Sequence, residues 1–267
     1  METNKEKKTA LITGASGGIG KAFAELLAAD GYDLVLVARN EDELNRIAGM
    51  EMTKNQTKVT PIPLDLSKAV AVNKLVAELK ARKIQPDIII NNAGVGLVGE
   101  AAELSVDLQM QMVNLNVRAL TAITLKFLPG MKDRNAGGII NVSSVAAFLP
   151  GPYMSVYYAT KAYVQSFTAS LADELKGSKV RVMSLCPGPV DTGFQATAGL
   201  DTNRWIYKMM QPKSAHDVAE AGWAGFKAGN NRTFPGLLDM LTAWTAKIMP
   251  RALLTPMIRF FQKPKQH

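Results

Sequence analysis

The sequence predicts an α/β fold in which one parallel sheet, doubly wound, carries helices on both faces of a single domain. Three observations carry this. Apolar runs of strand length recur along the chain and alternate with longer stretches of helical periodicity. The second of them, Leu34 to Ala38, is continuously apolar, as a strand buried on both faces requires. The first of them ends in a glycine-rich turn that opens directly into a helical pattern. With 267 residues, 47% of them hydrophobic, the chain can bury one large core.

Taken in order, Thr9 to Thr13 is the first strand and Gly14-Ala15-Ser16-Gly17-Gly18-Ile19-Gly20 the turn. A helix follows over Lys21 to Asp30, with Phe23, Leu26 and Leu27 on one face and Gly31 as its stop. Strand, glycine turn and helix together let the backbone approach a pyrophosphate, with unpaired helix N–H groups and a positive dipole end aimed at it. Asp33 to Ala38 is the second strand, and Glu41 to Met52 reads as helix. In a dinucleotide fold, the end of this strand meets the adenosine ribose, where an acid suits a free 2′-hydroxyl and an arginine a 2′-phosphate. Here that end carries Arg39, while Asp33 lies at the wrong end, which favours NADP(H) over NAD(H).

Val59 to Leu64 is a third strand, made irregular by Pro61 and Pro63. Asp65 follows, with Ser67 as expected N-cap of a helix over 68–82. Asp87 to Ile90 is a fourth strand ending in Asn91-Asn92-Ala93-Gly94. Glu103 to Leu128 reads as one long helix closed by Pro129-Gly130, with Asn114 and Asn116 inside it. Gly137 to Ser143 is a fifth strand that delivers Ser144 at its carboxyl end, the side on which open α/β sheets bind ligands. Ser155 to Leu175 is a helix, and Tyr157 and Lys161 on it stand four residues apart, on one face. An ammonium beside a phenol lowers its pKa and fits it for proton transfer. A sixth strand over 179–186 breaks at Pro187-Gly188-Pro189. Beyond it, 193–211 reads as irregular or partly helical, Ser214 as the N-cap of a helix running to about Lys227, and 231–235 as a short last strand.

Composition narrows the function classes. The net charge of +8 is dispersed, and aromatics are only 7%, so the stripe of cations and aromatics expected of a nucleic-acid binder is missing. Cys186 is the only cysteine, which excludes an internal disulfide and suits a reducing compartment. With two histidines and that one thiol, no metal site is expected. The polar N-terminus is unlike a signal peptide, no apolar run is long enough to span a bilayer, and the expected location is the cytoplasm.

Over about residues 8–235 the chain resembles the short-chain dehydrogenase/reductases in their compact single-domain, Rossmann-type form. Thr13 to Gly20 matches that family's TGxxxGxG, and Asn91 to Gly94 its NNAG. Tyr157 with Lys161 matches YxxxK, and Pro187-Gly188 with Thr192 matches the PG motif and its threonine. The resemblance implies a sheet of about seven strands. It also implies a hydride transfer between a nicotinamide dinucleotide and a carbonyl or secondary alcohol. Ser144 would bind the carbonyl oxygen, Tyr157 would move the proton, Lys161 would lower the tyrosine's pKa and hold the nicotinamide ribose, and Asn114 would support a water relay. Three choices between neighbours arise: Ser144 over Ser143, Tyr157 over Tyr158 because only the former has Lys161 at i+4, and Asn114 over Asn116. Cofactor contacts carried over from the family are Gly14, Ser16, Gly18, Ile19, Gly20, Asp65, Asn91, Ala93, Gly94, Pro187, Gly188, Val190 and Thr192, together with Tyr157 and Lys161; Arg39 joins them on its position. The alternative is a regulatory or scaffold protein that binds a dinucleotide without turnover, against which the complete Ser144/Tyr157/Lys161 set argues.

The catalytic domain is expected over 1–236, with a substrate lid at about 193–212 that is apolar and methionine-rich: Phe194, Leu200, Trp205, Ile206, Tyr207, Met209 and Met210. Such a surface suits a hydrophobic substrate, lipid-like, steroid-like or ketoacyl. A hydrophobic C-terminal extension over 237–267 carries Trp244, Ile248 and Met249 among scattered cations. It either packs on its own domain or a partner subunit, or makes a peripheral membrane contact. The family resemblance implies a homodimer or homotetramer, built on the helices over 103–128 and 155–175.

Overall fold

In the computed structural model, which describes residues 7–200 and 212–263, seven parallel strands form one twisted sheet. The strands are β1 (Thr9–Thr13), β2 (Asp33–Ala38), β3 (Val59–Pro63), β4 (Ile88–Asn91), β5 (Gly137–Val142), β6 (Val180–Leu185) and a late edge strand (Arg232–Thr233). Their spatial order is β3-β2-β1-β4-β5-β6 followed by that edge strand, which pairs Thr233 with Leu185. The order reverses between β1 and β4. There the carboxyl ends of two neighbouring strands diverge and leave a crevice above the sheet. Leu11, Ile12, Val35, Leu36, Ile89, Ile90, Ile139 and Ile140 are fully buried, because helices cover both faces.

One layer holds α1 (Gly18–Ala29), α2 (Glu41–Asn55) and a later helix over Ala215–Lys227; Phe23, Leu27, Leu44, Val218 and Trp223 pack there against one face of the sheet. The other layer holds α3 (Ala71–Ala81), α4 (Val106–Val113), α5 (Leu120–Asp133) and α6 (Ser155–Glu174), with Leu75, Leu79, Ile123, Met131 and Leu171 on the opposite face. The remaining elements, in order, are β7 (Val190–Asp191), α7 (Phe194–Ala198), β8 (Lys213–Ser214), α8 (the Ala215–Lys227 helix), β9 (the Arg232–Thr233 strand), α9 (Leu237–Ile248) and α10 (Arg251–Gln262). β7 and β8 pair with each other as a separate two-stranded sheet.

Two local expectations are corrected. The long helix over 103–128 is interrupted: Asn114–Ala119 is π-helical, and the helix then continues through Pro129 to Asp133. Ser67 does not cap α3, because its hydroxyl and N–H both donate to Asp65 and the helix starts later, at Ala71. The C-terminal extension is two helices, kinked apart at Pro250. Ser214 does cap α8, accepting from the Asp217 N–H at 3.0 Å. Trp205, Ile206, Tyr207, Met209 and Met210 of the expected lid lie outside the described residues.

Candidate active site

The first wall of the crevice is made of backbone. Gly14 has φ +66° and Gly18 φ +51°, conformations that side chains resist. A Cβ on Gly14 would lie 2.9 Å from the Ala93 Cα, and one on Gly20 only 2.2 Å from the Gly14 carbonyl oxygen. The turn therefore closes against both itself and the loop after β4. Asn92 locks it: its Nδ2 donates to the carbonyls of Thr13 and Gly14, while Thr13 Oγ1 accepts from the N–H groups of Asn92 and Ala93. α1 begins at Gly17 with no side-chain cap and no acid in its first turn. By contrast, α2 is capped by Asn40 and carries Glu41, Asp42 and Glu43 there. The start of α1 thus combines free backbone donors, a positive dipole end and a surface stripped of side chains, which fits a pyrophosphate.

Arg39 is exposed at the carboxyl end of β2. Its charge reaches Asp65: burial raises the carboxyl's pKa, but hydrogen bonds from Ser67 and the charges of Arg39 and Lys68 bring the net shift down. These two residues follow the carboxyl ends of the neighbouring strands β2 and β3. Thr192 closes the far side, with its Cγ2 3.0 Å from where a Gly18 Cβ would stand. Val190 is buried in the small sheet beside Lys213.

The second wall is made of side chains. Ser144 follows β5, and its Oγ accepts from the Ala146 N–H at 3.1 Å and donates to the Pro187 carbonyl at 3.2 Å. The same hydroxyl is near enough to Tyr157 to draw the phenol's pKa down. Ser143, beside it, points away and donates to the Lys161 carbonyl. Tyr157 packs against Phe194 and Tyr158, with ring centroids 5.4 Å and 6.0 Å away. The Tyr158 hydroxyl is engaged instead by Gln262 of α10. Of the adjacent pairs, Ser144 and Tyr157 are the two brought together.

Lys161 is buried, and its Nζ donates to the Val142 carbonyl at 2.9 Å and sits 5.8 Å from the Tyr157 ring centroid. Burial lowers its pKa to about 8. Tyr157, although part of its surface stays open, is pushed well above the ordinary phenol range by desolvation, with Ser144 the only group drawing it down. The expected depression by Lys161 is not among the effects on the phenol, whose pKa is set first by its burial.

Two assignments of side chains change. Asn91 does not face the crevice: it is buried in the core, where its Nδ2 donates to Thr124 Oγ1 and Asn141 Oδ1 and so ties β4 to α5 and β5. Asn116, rather than Asn114, reaches the lysine. Its Oδ1 accepts from the Val95 N–H at 3.0 Å, and its Nδ2 donates to the Val95 carbonyl and Thr160 Oγ1. A Cβ on Gly94 would stand 3.3 Å from that Oδ1 and 3.6 Å from Lys161 Nζ. Residues two apart on a helix point in nearly opposite directions, so only one of the two asparagines can face the site. The interruption at Asn114–Ala119, which decides which one, has no periodicity signal in the sequence. Ala93, Gly94, Ser16 and Ile19 line the glycine turn and the loop above β4, as their positions predict.

Sequence reasoning missed two contributors. Asn92 is the residue of its motif that holds the turn, which alternation along β4 could have suggested. Asp239 of α9 is pressed behind Gly188: a Gly188 Cβ would lie 2.2 Å from its Oδ1. No sequence signal connects residues so far apart.

Comparison with known proteins agrees with the fold. A family model described as short chain dehydrogenase matches residues 8–203. An uncharacterized oxidoreductase of Staphylococcus saprophyticus is 35% identical over 216 residues, 81% of this chain and 89% of the relative. An NADP-dependent 3-hydroxy acid dehydrogenase of Schizosaccharomyces pombe is 33% identical over 218 residues, 80% of this chain and 84% of the relative. Among solved structures, a short-chain dehydrogenase from Sphingobium yanoikuyae in complex with NADPH superposes with a TM-score of 0.82 at 30% identity, covering 97% of this chain and 100% of the other.

Proposed function

The chain belongs to the short-chain dehydrogenase/reductase family and is an oxidoreductase, and from that premise we propose that it reduces a hydrophobic carbonyl compound with NADPH. The observation that carries the reaction is the grouping of Ser144, fixed by Ala146 and Pro187, with Tyr157 and the buried Lys161, 5.8 Å from its ring, beside the glycine-lined crevice. Gly14, Gly18, Gly20 and the uncapped start of α1 fit the pyrophosphate, Arg39 and Asp65 the adenosine end, and Thr192, Val190, Pro187 and Gly188 the nicotinamide side. When bound, the dinucleotide supplies the hydride.

Each side chain then has a task. Ser144 donates a hydrogen bond to the substrate carbonyl as charge develops on its oxygen. In the reduction, Tyr157, protonated at neutral pH, gives that oxygen its proton. Lys161 resupplies the proton, and Asn116 with Gly94 holds the polar path above it. Phe194, against Tyr157 and Gly96, makes the substrate side apolar. The S. pombe relative's NADP dependence and the NADPH in the Sphingobium structure support the choice of cofactor, as does Arg39.

The test is NADPH oxidation against a panel of steroid, ketoacyl, sugar and aromatic carbonyls, with NADH in parallel. Turnover of an apolar ketone with NADPH is expected; turnover confined to sugars, or faster with NADH, overturns the reading.

Two association surfaces belong to the same proposal. Leu108, Met110, Leu125 and Tyr163 are exposed on α4, α5 and α6, at 41–52%, and are read as a self-association face. Light scattering giving a monomer mass would remove it. On α9, Leu237, Leu241, Trp244 and Ile248 recur at helical spacing and are all at least half exposed, while the acid of that helix, Asp239, is buried. Lys247 on the same helix and Arg251 just after it add positive charge nearby in the sequence, which suits an anionic lipid surface. No helix among the described residues is long and apolar enough to cross a membrane. Flotation with anionic vesicles should carry the protein, and Trp244→Glu should abolish it; equal recovery in the aqueous phase sinks the contact.

A further inference from the structure

The C-terminal extension is joined to the catalytic centre at three points. α9 packs on the single turn Val145–Phe148, which follows Ser144. Gln262 of α10 donates to the hydroxyl of Tyr158, the neighbour of Tyr157. The third point has the most consequence. Asp239 is 8% exposed, and its carboxylate lies against Gly188 so closely that any side chain at 188 would displace it. Burial raises the pKa of this carboxyl above its ordinary value, with the charge of Lys213 and the nearby backbone of Gly188 and Gly236 acting the other way. On the far side of the same loop, the Pro187 carbonyl takes hydrogen bonds from Ser144 Oγ and from the Val145 N–H at 2.9 Å.

A buried carboxylate is expensive to keep at a place where it only packs. Ala243, Leu254 and Ile258 already dock the two helices by apolar burial, at 2%, 2% and 8% exposure. Asp239 Oδ2 has no hydrogen-bond partner, so the group is not there for complete polar satisfaction either. Asp239 stands against Gly188 of the Pro187–Pro189 loop, while Ser144 hydrogen-bonds the Pro187 carbonyl of the same loop. The loop is thus set between a tail residue and the serine, and its position fixes where the Ser144 hydroxyl points.

We propose that Asp239 is a positioning residue: the C-terminal extension works as a latch that holds the Pro187–Gly188 loop against Ser144 and so aligns the serine for catalysis. The kinetic consequence rests on the reductase reading above; the latch itself does not.

The test uses the full chain. Hydrogen exchange without cofactor comes first, because it is independent of turnover. In the wild-type protein the Gly188 amide should be protected and should open together with the amides of α9. Exchange at the rate of a free peptide overturns the latch. Asp239→Ala should then speed exchange over 186–192, whereas Asp239→Asn, which keeps an acceptor oxygen, should retain most of the protection. On an active carbonyl substrate, Asp239→Ala should lower kcat about ten- to a hundredfold with a smaller change in the KM for that substrate, and Asp239→Asn should recover kcat to within a few-fold. Two results overturn the proposal: exchange and kcat unchanged in Asp239→Ala whatever its melting temperature, or an Asn variant as impaired as the Ala variant. If Asp239→Ala does not fold, the wild-type exchange pattern and Asp239→Asn decide. Absence of any carbonyl turnover while the exchange pattern holds would count against the reductase reading and leave the latch standing.

Discussion

The two walls of the crevice are built on different principles. The wall from β1, α1 and β4 is backbone: three glycines, the free N–H groups of a helix start and loop carbonyls clamped by Asn92. The wall from β5, α6 and the Pro187 loop is side chain: Ser144, Tyr157, Lys161 and Phe194, backed by the C-terminal helices. A wall without side chains suits a ligand part that never varies, such as a pyrophosphate. A wall of side chains can be retuned for substrate. The first tolerates almost no substitution because the backbone has nowhere to move; the second can lose a functional group and stay folded.

That contrast can be broken or sharpened by experiment. The largest effect is expected on the second wall: Tyr157→Phe removes the proton donor and should cut turnover by about a thousandfold. NADPH affinity by fluorescence titration should stay within a few-fold, and stability should be close to that of the wild type. Gly20→Ala should do the opposite, since its Cβ meets the Gly14 carbonyl at 2.2 Å. A loss of about 3 kcal/mol in denaturant unfolding and of dinucleotide binding is expected. If Gly20→Ala binds NADPH normally, the backbone wall is not the rigid one. Ser144→Ala should lower kcat about a hundredfold while costing only about 1 kcal/mol of stability from its two lost hydrogen bonds. Arg39→Asp, on the rim of the first wall, should shift the ratio of NADPH to NADH efficiency about tenfold or more toward NADH; an unaltered ratio would move the cofactor choice elsewhere.

The smallest effect is a pH dependence. Lys161 titrates near 8 in the fold and at an ordinary 10.5 when unfolded, so between these values unfolding takes up a proton and the fold gains stability as pH rises. Cys186, raised by burial from 9.0 to about 11, works the other way and loses stability as pH rises from 9. The gain should therefore be clearest between about 8 and 9. The difference in melting temperature between wild type and Lys161→Met should move in favour of the wild type across that interval. A flat difference would mean that the lysine is not desolvated.

Much of the architecture was legible because it is written in local chemistry. Short apolar runs at 10–12, 34–38 and 88–90, bounded by turn signals, read as strands buried on both faces, and Gly14, Gly18 and Gly20 carry their meaning in the absence of a Cβ. The i, i+4 relation of Tyr157 and Lys161 survives intact, since helix geometry converts spacing directly into a shared face. The sequence by itself therefore determined the sheet, the turn and the pair of catalytic candidates. The tertiary structure alone decided the rest. Whether Asn114 or Asn116 faces Lys161 depends on a π-helical step that costs the helix its regular register, and spacing cannot announce it. Asn91 turns into the core because Thr124 and Asn141, distant in the chain, offer it partners. The phenol of Tyr157 is raised rather than lowered because its desolvation depends on Phe194 and Tyr158 closing over it. Asp239, some fifty residues beyond Gly188, meets that glycine only after the last strand has paired with β6 and turned the tail back over the loop. Contacts within a turn of the chain are fixed by stereochemistry, whereas contacts across it are fixed by which surfaces the packed core leaves facing each other.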